Sequence, residues 1–270
     1  MQQTNTSNNN SSKIILSALV VARNEELNLN ECLEKLKHAD EIVVVLDRTT
    51  DSSEKIAKNL GAKVIKGSWP LEGDRRNTGL KNCSGDWILE VDADEIVSKE
   101  LFQEIRSKIS NSEKGYYLVP FENYIGDKLI KYGWGASWGV TASPRLSYKG
   151  MKTWGMQRIH PKLELQGKKL WLENPIAHKL DKNISDMILR LDKYSKAKAA
   201  DIRDNREKIP SNWITVRRGI TRFYKCYVSR KGYKEGGWGF IIAFMAAAYI
   251  ILSYLRANLE DKNDQPNKKI

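Results

Sequence analysis

Apolar runs of strand length alternate with helix-length stretches from Lys13 to about residue 110, the pattern of a parallel sheet whose strands are joined by crossover helices. Residues 14–21, 41–47, 62–66 and 87–91 read as strands. Between them Asn28 caps a helix through His38, and Ser52 or Ser53 opens one that ends at Gly61. Residues 73–82 form a third helix, and Ser98 with Glu100 begins a fourth that runs to about Ser110. After Gly115 the rhythm weakens. Residues 116–121 suit one more strand, and Gly, Trp and Tyr then cluster through 124–155, as expected of loops and short antiparallel strands over a cleft. Ile184, Met187, Ile188, Leu191 and Tyr194 recur at three and four positions, predicting a helix over 183–208 that Pro210 ends.

The stretch 238–255 is 18 residues without a charge. As a helix it spans about 27 Å, just short of a hydrocarbon core of about 30 Å. Its expected place is in the membrane interface; a buried core helix and a single span are the alternatives.

A chain of 270 residues and 30.9 kDa, 41% hydrophobic with mean hydropathy −0.53, has the material for a large core and is not a polytopic membrane protein. Its net charge of +12 hides a division: residues 1–119 carry 16 basic and 19 acidic side chains, residues 120–270 carry 29 and 14. Seven of the basic ones, Arg217, Arg218, Arg222, Lys225, Arg230, Lys231 and Lys234, lead into the uncharged run, so the anionic partner is expected to be a membrane surface and not nucleic acid. Cys32, Cys83 and Cys226 are far apart without CxxC spacing, which fits a reducing cytosol better than a disulfide framework. The segment 1–12 has neither the basic nor the apolar region of a signal peptide and is expected to be a disordered tail.

Ligands of an open parallel sheet sit beyond the carboxyl ends of its strands, and three motifs fall there. Ala22-Arg23-Asn24-Glu25-Glu26 follows the first strand without the glycines of a dinucleotide fingerprint, or of the phosphate loop of a nucleotidyltransferase. Asp47 ends the second strand before Arg48-Thr49-Thr50-Asp51; its carboxylate suits a base or ribose, or else it caps the next helix with Asp51. Asp92-Ala93-Asp94-Glu95 follows the fourth. On an extended backbone Asp92 and Asp94 point the same way, so both are expected to address one Mg²⁺ or Mn²⁺ shared with phosphate oxygens. The alternative for such a triplet is a solvated first turn of a helix.

Ser17-Ala-Leu-Val-Val-Ala-Arg-Asn-Glu-Glu26, Glu41-Ile-Val-Val-Val-Leu-Asp47, Gly73-Asp-Arg-Arg-Asn-Thr-Gly-Leu80 and Gly85-Asp-Trp-Ile-Leu-Glu-Val-Asp-Ala-Asp-Glu95 together resemble family 2 glycosyltransferases of the GT-A fold, most of all the lipopolysaccharide inner-core glucosyltransferase branch. The resemblance is strong over about 14–110 and weaker beyond. It implies an α/β fold with a Rossmann-like, mostly parallel sheet and flanking helices, followed by a basic helical extension that ends in an apolar membrane-associated helix. The expected divisions are a catalytic domain over 13–210, with a nucleotide-sugar half at 13–114 and an acceptor half at 115–210. A membrane-associating segment then covers 211–260, and a polar tail 261–270.

The implied activity is inverting, metal-dependent transfer of a hexose, glucose first, from a uridine-linked nucleotide sugar to a lipid-linked glycan such as lipopolysaccharide core, on the cytoplasmic face of the membrane. Carried over residue by residue, Ala22, Arg23 and Glu25 line the nucleotide pocket, Asp47 holds the base, Arg75 approaches the diphosphate, Asp92 takes the ribose or metal, and Asp94 the metal.

In the second half Pro144-Arg145-Leu146, Ile159-His160 and Ile176-Ala-His178 resemble later elements of the branch, but Pro161 stands where its glutamate would follow the histidine. Inversion needs a group to take the acceptor's proton, and His160, Glu164 and Glu122 are the candidates. His160 could equally be a metal ligand or a structural histidine. Trp134, Trp138 and Trp154 suit a sugar-stacking platform or packing. The other readings are a non-catalytic nucleotide-fold membrane adaptor, or a transferase acting on a diacylglycerol-type lipid.

Overall fold

The first strand, β1 (Leu16–Ala22), lies inside the sheet with β2 (Glu41–Asp47) parallel on one side and β4 (Trp87–Val91) parallel on the other. Beyond β2 lies β3 (Lys63–Gly67). Both faces of these strands are covered, which is why they read as unbroken apolar runs. On one face Leu16, Ala18, Val20 and Leu89 meet α1 (Leu29–Lys35), α2 (Ser53–Asn59) and α4 (Lys99–Ile109) through Leu33, Ala57, Leu101 and Ile105. On the other, Leu19, Val43, Val45 and Ile88 meet Leu80 of α3 (Glu72–Asn82).

The computed structural model describes residues 15–135, 138–157, 161–204 and 210–260. Past β4 the sheet becomes mixed. β5 (Glu95–Val97), β6 (Gly115–Ile125), β8 (Ala142–Tyr148) and β12 (Ile176–Asp181) continue it in the order β3-β2-β1-β4-β8-β6-β12-β5. β7 (Lys128–Ile130) and β11 (Lys168–Trp171) attach to β6, and β9 (Lys152–Trp154) pairs with β10 (Leu163–Leu165) as a separate hairpin. This is the GT-A arrangement, a curled, mixed and largely parallel sheet flanked by helices.

The remaining helices are α5 (Ile184–Asp204), α6 (Asn212–Tyr224) and α7 (Gly237–Leu259). α7 contains the uncharged run and is 23 residues long, enough by length and composition to cross a membrane. One side of it is core: Ile242, Ala243, Met245, Ala246 and Tyr249 pack with Met187, Leu191 and Cys226 and with Ile125, Ile130, Trp134 and Trp138. Gly219 lets α6 approach it, since a Cβ there would stand 2.6 Å from Ile251 Cδ1. The opposite side leaves Phe240 and Phe244 half exposed.

Candidate active site

The carboxyl ends of β1, β2 and β4 open at one edge of the sheet, and the loops after β1 and β2 are tied to each other there. Asn24 Oδ1 accepts the Thr50 N–H at 2.9 Å, Ser53 Oγ accepts the Glu25 N–H at 3.0 Å, and Asp51 Oδ2 accepts the Glu26 N–H at 3.0 Å. Asn24 (φ 55) and Arg48 (φ 51) hold left-handed backbone that side-chain-bearing residues seldom adopt. Ala22 is buried at the mouth, Arg23 is exposed and Glu25 is half-buried. Burial raises the Glu25 carboxyl above its ordinary value although the Asn28 amide opposes it.

Asp47 is fully enclosed. It accepts Nε (3.0 Å) and Nη2 (2.7 Å) of Arg48, the Trp69 N–H (3.1 Å) and Nη1 of Arg75 (3.3 Å). Burial pushes this carboxyl up, but those donors outweigh it and hold it below the usual carboxylate range. Arg75 therefore orients Asp47 in this structure.

The backbone after β4 turns: the Glu95 N–H returns to the Asp92 carbonyl at 3.0 Å. Asp92 and Asp94 thus do not share one direction, as the extended-backbone expectation had it, and their partners differ. Asp92 accepts Arg76 Nη2 at 2.8 Å through one oxygen and Arg145 Nη2 at 2.5 Å through the other. Burial opposes its charge, yet the two guanidiniums hold the carboxyl far below its ordinary value. Arg145 also grips the buried Glu95, whose carboxyl burial pushes up to about 7 against the pull of that arginine.

Beneath this lies a second buried pair, Glu90 with Lys152, topped by Trp154. The Trp154 indole donates to Glu90 Oε1 at 2.8 Å, and its ring has Arg76 Cζ at 4.6 Å and Lys152 Nζ at 4.7 Å.

Asp94 faces the opening, its side chain 37% exposed, with Oδ2 3.5 Å from His178 Nε2. Asn123 donates its amide N–H to the Val140 carbonyl at 3.0 Å, so its Oδ1 is the atom facing His178 Nδ1 at 3.1 Å. Nδ1 is therefore the donor, and Nε2 turns toward the carboxylate. Burial lowers the affinity of His178 for a proton, but Asp94 and the carboxylates behind it raise it above the ordinary histidine value. A carboxylate oxygen and an imidazole nitrogen held face to face at this spacing suit a cation bound between them, a proton or a metal.

Among the described residues no three His, Cys, Asp or Glu side chains form a complete metal cage. Two donors suffice for Mg²⁺ or Mn²⁺ on a nucleotide, because such ions are held by one or two protein ligands plus phosphates and water. The donors present thus fit a divalent cation at Asp94 and His178, with Asp92 committed to its arginines.

The three base candidates do not meet at this place. Glu122 neighbours Asn123 on β6 and points to the opposite face, where it accepts the Tyr124 hydroxyl at 3.3 Å. Glu164 is exposed on the β9–β10 hairpin, across from Thr153. His160 lies outside the described residues. Trp134 and Trp138 belong to the second core, and Trp154 is engaged by Arg76, so none is a free platform. Arg145 and His178 each lay in an element quoted for its resemblance, without being assigned to the site. Nothing in the sequence marked Asn123 or Lys152.

Residues 17–160 match the family model for glycosyl transferase family 2, and the chain belongs to that family. It is 26% identical over 271 residues to a Rickettsia conorii chain named as an uncharacterized glycosyltransferase, covering 92% of each. It is also 26% identical over 256 residues to the lipopolysaccharide core biosynthesis glycosyltransferase LpsC of Rhizobium meliloti, covering 89% of this chain and 91% of LpsC. Among solved structures it is similar to S. aureus TarS, with a TM-score of 0.49 and 17% identity over 69% of this chain and 42% of that one. A second is the Mycobacterium tuberculosis glucosyl-3-phosphoglycerate synthase in complex with Mn²⁺ and UDP, with a TM-score of 0.36 and 23% identity over 42% of this chain and 45% of that one. The protein is a glycosyltransferase.

Proposed function

We propose that this glycosyltransferase moves a hexose, glucose in the first instance, from a uridine-linked nucleotide sugar to a lipid-linked glycan of the lipopolysaccharide-core kind, with inversion and with Mg²⁺ or Mn²⁺. The observation that carries the donor half of this reading is the Asp94–His178 pair at 3.5 Å, with the Asp94 carboxylate 37% exposed. Ala22, Arg23 and Glu25 line the nucleotide side, and the enclosed Asp47, which holds Arg48, Arg75 and the Trp69 N–H in place, marks the base side. Asp92 anchors the turn that aims Asp94. When bound, the divalent cation neutralises the charge that builds on the leaving diphosphate. His160 is the base in this reading, with Glu122 turned to the other face and Glu164 exposed on a hairpin. The name of the LpsC relative supports a lipopolysaccharide-type acceptor.

The acceptor side rests on an anionic membrane face at the cytoplasmic surface. α6 shows solvent a row of Trp213, Val216, Ile220 and Tyr224, α7 leaves Phe240 and Phe244 half exposed, and Arg217, Arg218 and Lys225 are exposed in the same segment. Apolar side chains sink into the interface, and each basic residue near an anionic surface adds about 1 kcal/mol. The pair α6–α7 thus lies on the bilayer and does not span it. Incubating the protein with UDP-glucose, Mn²⁺ and extracted bacterial lipids should yield a glucosylated lipid. Failure to consume any of a panel of nucleotide sugars would overturn the donor assignment.

A further inference from the structure

A cavity of about 410 Å³ opens between residues 131–135 and the turn after α6, lined by Lys131, Tyr132, Trp134, Thr141, Ala142 and Arg230 among others. This lies within the range of small-molecule sites, about 300–1,000 Å³. Its wall is tied to the Asp94–His178 pair by a short chain of hydrogen bonds. The Val140 carbonyl, on that wall, accepts the amide of Asn123, whose other end holds His178 against Asp94.

The loop that forms the cavity is fastened before any ligand arrives. Glu235 Oε1 takes the N–H groups of Lys131 (2.9 Å) and Tyr132 (3.1 Å), and the Gly133 N–H reaches the Arg230 carbonyl at 3.0 Å. The Arg230 guanidinium lies across Gly135 (φ 155), where a Cβ would stand 2.2 Å from Arg230 Cζ. The Glu235 carboxylate is thereby used on backbone N–H groups, and no carboxylate is among the described residues that line the cavity. Among the described residues Lys131 Nζ makes no ion pair with a carboxylate, and Arg230 Nη1 contacts Cys226 Sγ at 3.6 Å. Two cations from distant parts of the chain thus line one cavity, with the Glu235 carboxylate spent on backbone N–H groups and the half-exposed Tyr132 ring beside them for a sugar face.

We propose that this cavity is the acceptor subsite, and that it takes an anionic sugar whose phosphoryl or carboxylate group is held by Lys131 and Arg230, leaving a hydroxyl toward the Asp94–His178 side. The proposal rests on the transferase reading above and adds to it the class of acceptor. Arg230 gives a planar fork for two oxygens of the anion, and Lys131 a mobile point charge.

The test is calorimetric titration of the UDP-saturated full-length protein with glucose 6-phosphate, glucuronate and glucose. Wild type should bind one or both charged sugars at least about tenfold more tightly than glucose, and which of the two is preferred separates a phosphoryl from a carboxylate acceptor. Lys131→Gln and Arg230→Gln should each lose about tenfold toward the charged sugar, with UDP affinity unchanged and Arg230→Lys in between. Equal affinity for glucose, no binding of any of the three at millimolar concentration, or undiminished binding by both glutamine variants would overturn the subsite. Loss of UDP binding by the wild type would instead overturn the transferase reading beneath it.

Discussion

Arg145 bridges Asp92 and the buried Glu95, and its removal leaves Glu95 without its cation and Asp92 with Arg76 alone. Breaking a buried pair by deleting one partner costs about 3–5 kcal/mol, so Arg145→Gln should lower unfolding stability by that order in a urea titration, with Arg145→Lys intermediate. Glu41 gives a cleaner acid dependence. It accepts the Ser17 hydroxyl at 2.5 Å, the Ser84 N–H at 2.7 Å and the Ser84 hydroxyl at 2.9 Å. Burial pushes its carboxyl up, but these donors prevail and set it below its ordinary value. A lowered folded pKa means that the unfolded chain binds the proton more readily. The stabilisation is therefore present above the unfolded value of about 4.3 and is lost as pH falls through the folded one. Glu41→Gln should cost about 1 kcal/mol at neutral pH, and its difference from wild type should shrink as pH falls below about 4 in parallel denaturation series. A difference constant with pH would show that the carboxylate charge plays no part.

At the scale of elements, α3 delivers Arg75 to Asp47 and Arg76 to Asp92, and it can do so because Gly79 lets it lie on the sheet. A Cβ at Gly79 would stand 2.5 Å from Leu19 Cδ1 and 3.1 Å from Val45 Cγ2, both in a packed core. Gly79→Ala should destabilise the protein by about 1–3 kcal/mol and shift both arginines, read as a lower Tm together with weaker UDP binding. The parallel half was legible because doubly covered strands are continuous apolar runs: β2 and β4 fall where hydrophobicity placed them, and α3 differs by one residue at its start. The second half was less so. β8 and β9 bury Arg145 and Lys152, residue types that read as surface, and their partners lie far off in sequence. β6 runs on to Ile125 past the expected end at 121, and the additional residues bring Asn123 to His178. The DxD spacing located the acidic corner, yet only the turn closed by Glu95 shows that its two aspartates part company.

At the scale of the whole molecule, the segment 210–236 that carries α6 holds seven basic side chains against one acidic, and α7 turns one side to the core and leaves Phe240 and Phe244 half exposed on the other. Because Ile242, Met245 and Tyr249 are core, removing α7 would open the second cluster, and point substitutions on the outward row are the informative change. Trp213→Ser with Phe244→Ser should weaken binding to anionic vesicles at least about tenfold with Tm little altered, and added salt should weaken the wild type as surface charges are screened within about 10 Å at 0.1 M. Equal binding to neutral vesicles would remove the electrostatic part of this account. Asp94, paired with His178, is the proposed meeting point of a divalent cation and the donor diphosphate. It is tested most directly by UDP-glucose turnover against Mn²⁺ concentration in wild type, Asp94→Ala and His178→Ala. The expected result is metal-dependent turnover in the wild type, about a hundredfold loss or more in Asp94→Ala, and a raised Mn²⁺ requirement in His178→Ala. Undiminished turnover in Asp94→Ala, or full wild-type activity in the presence of a chelator, would contradict it.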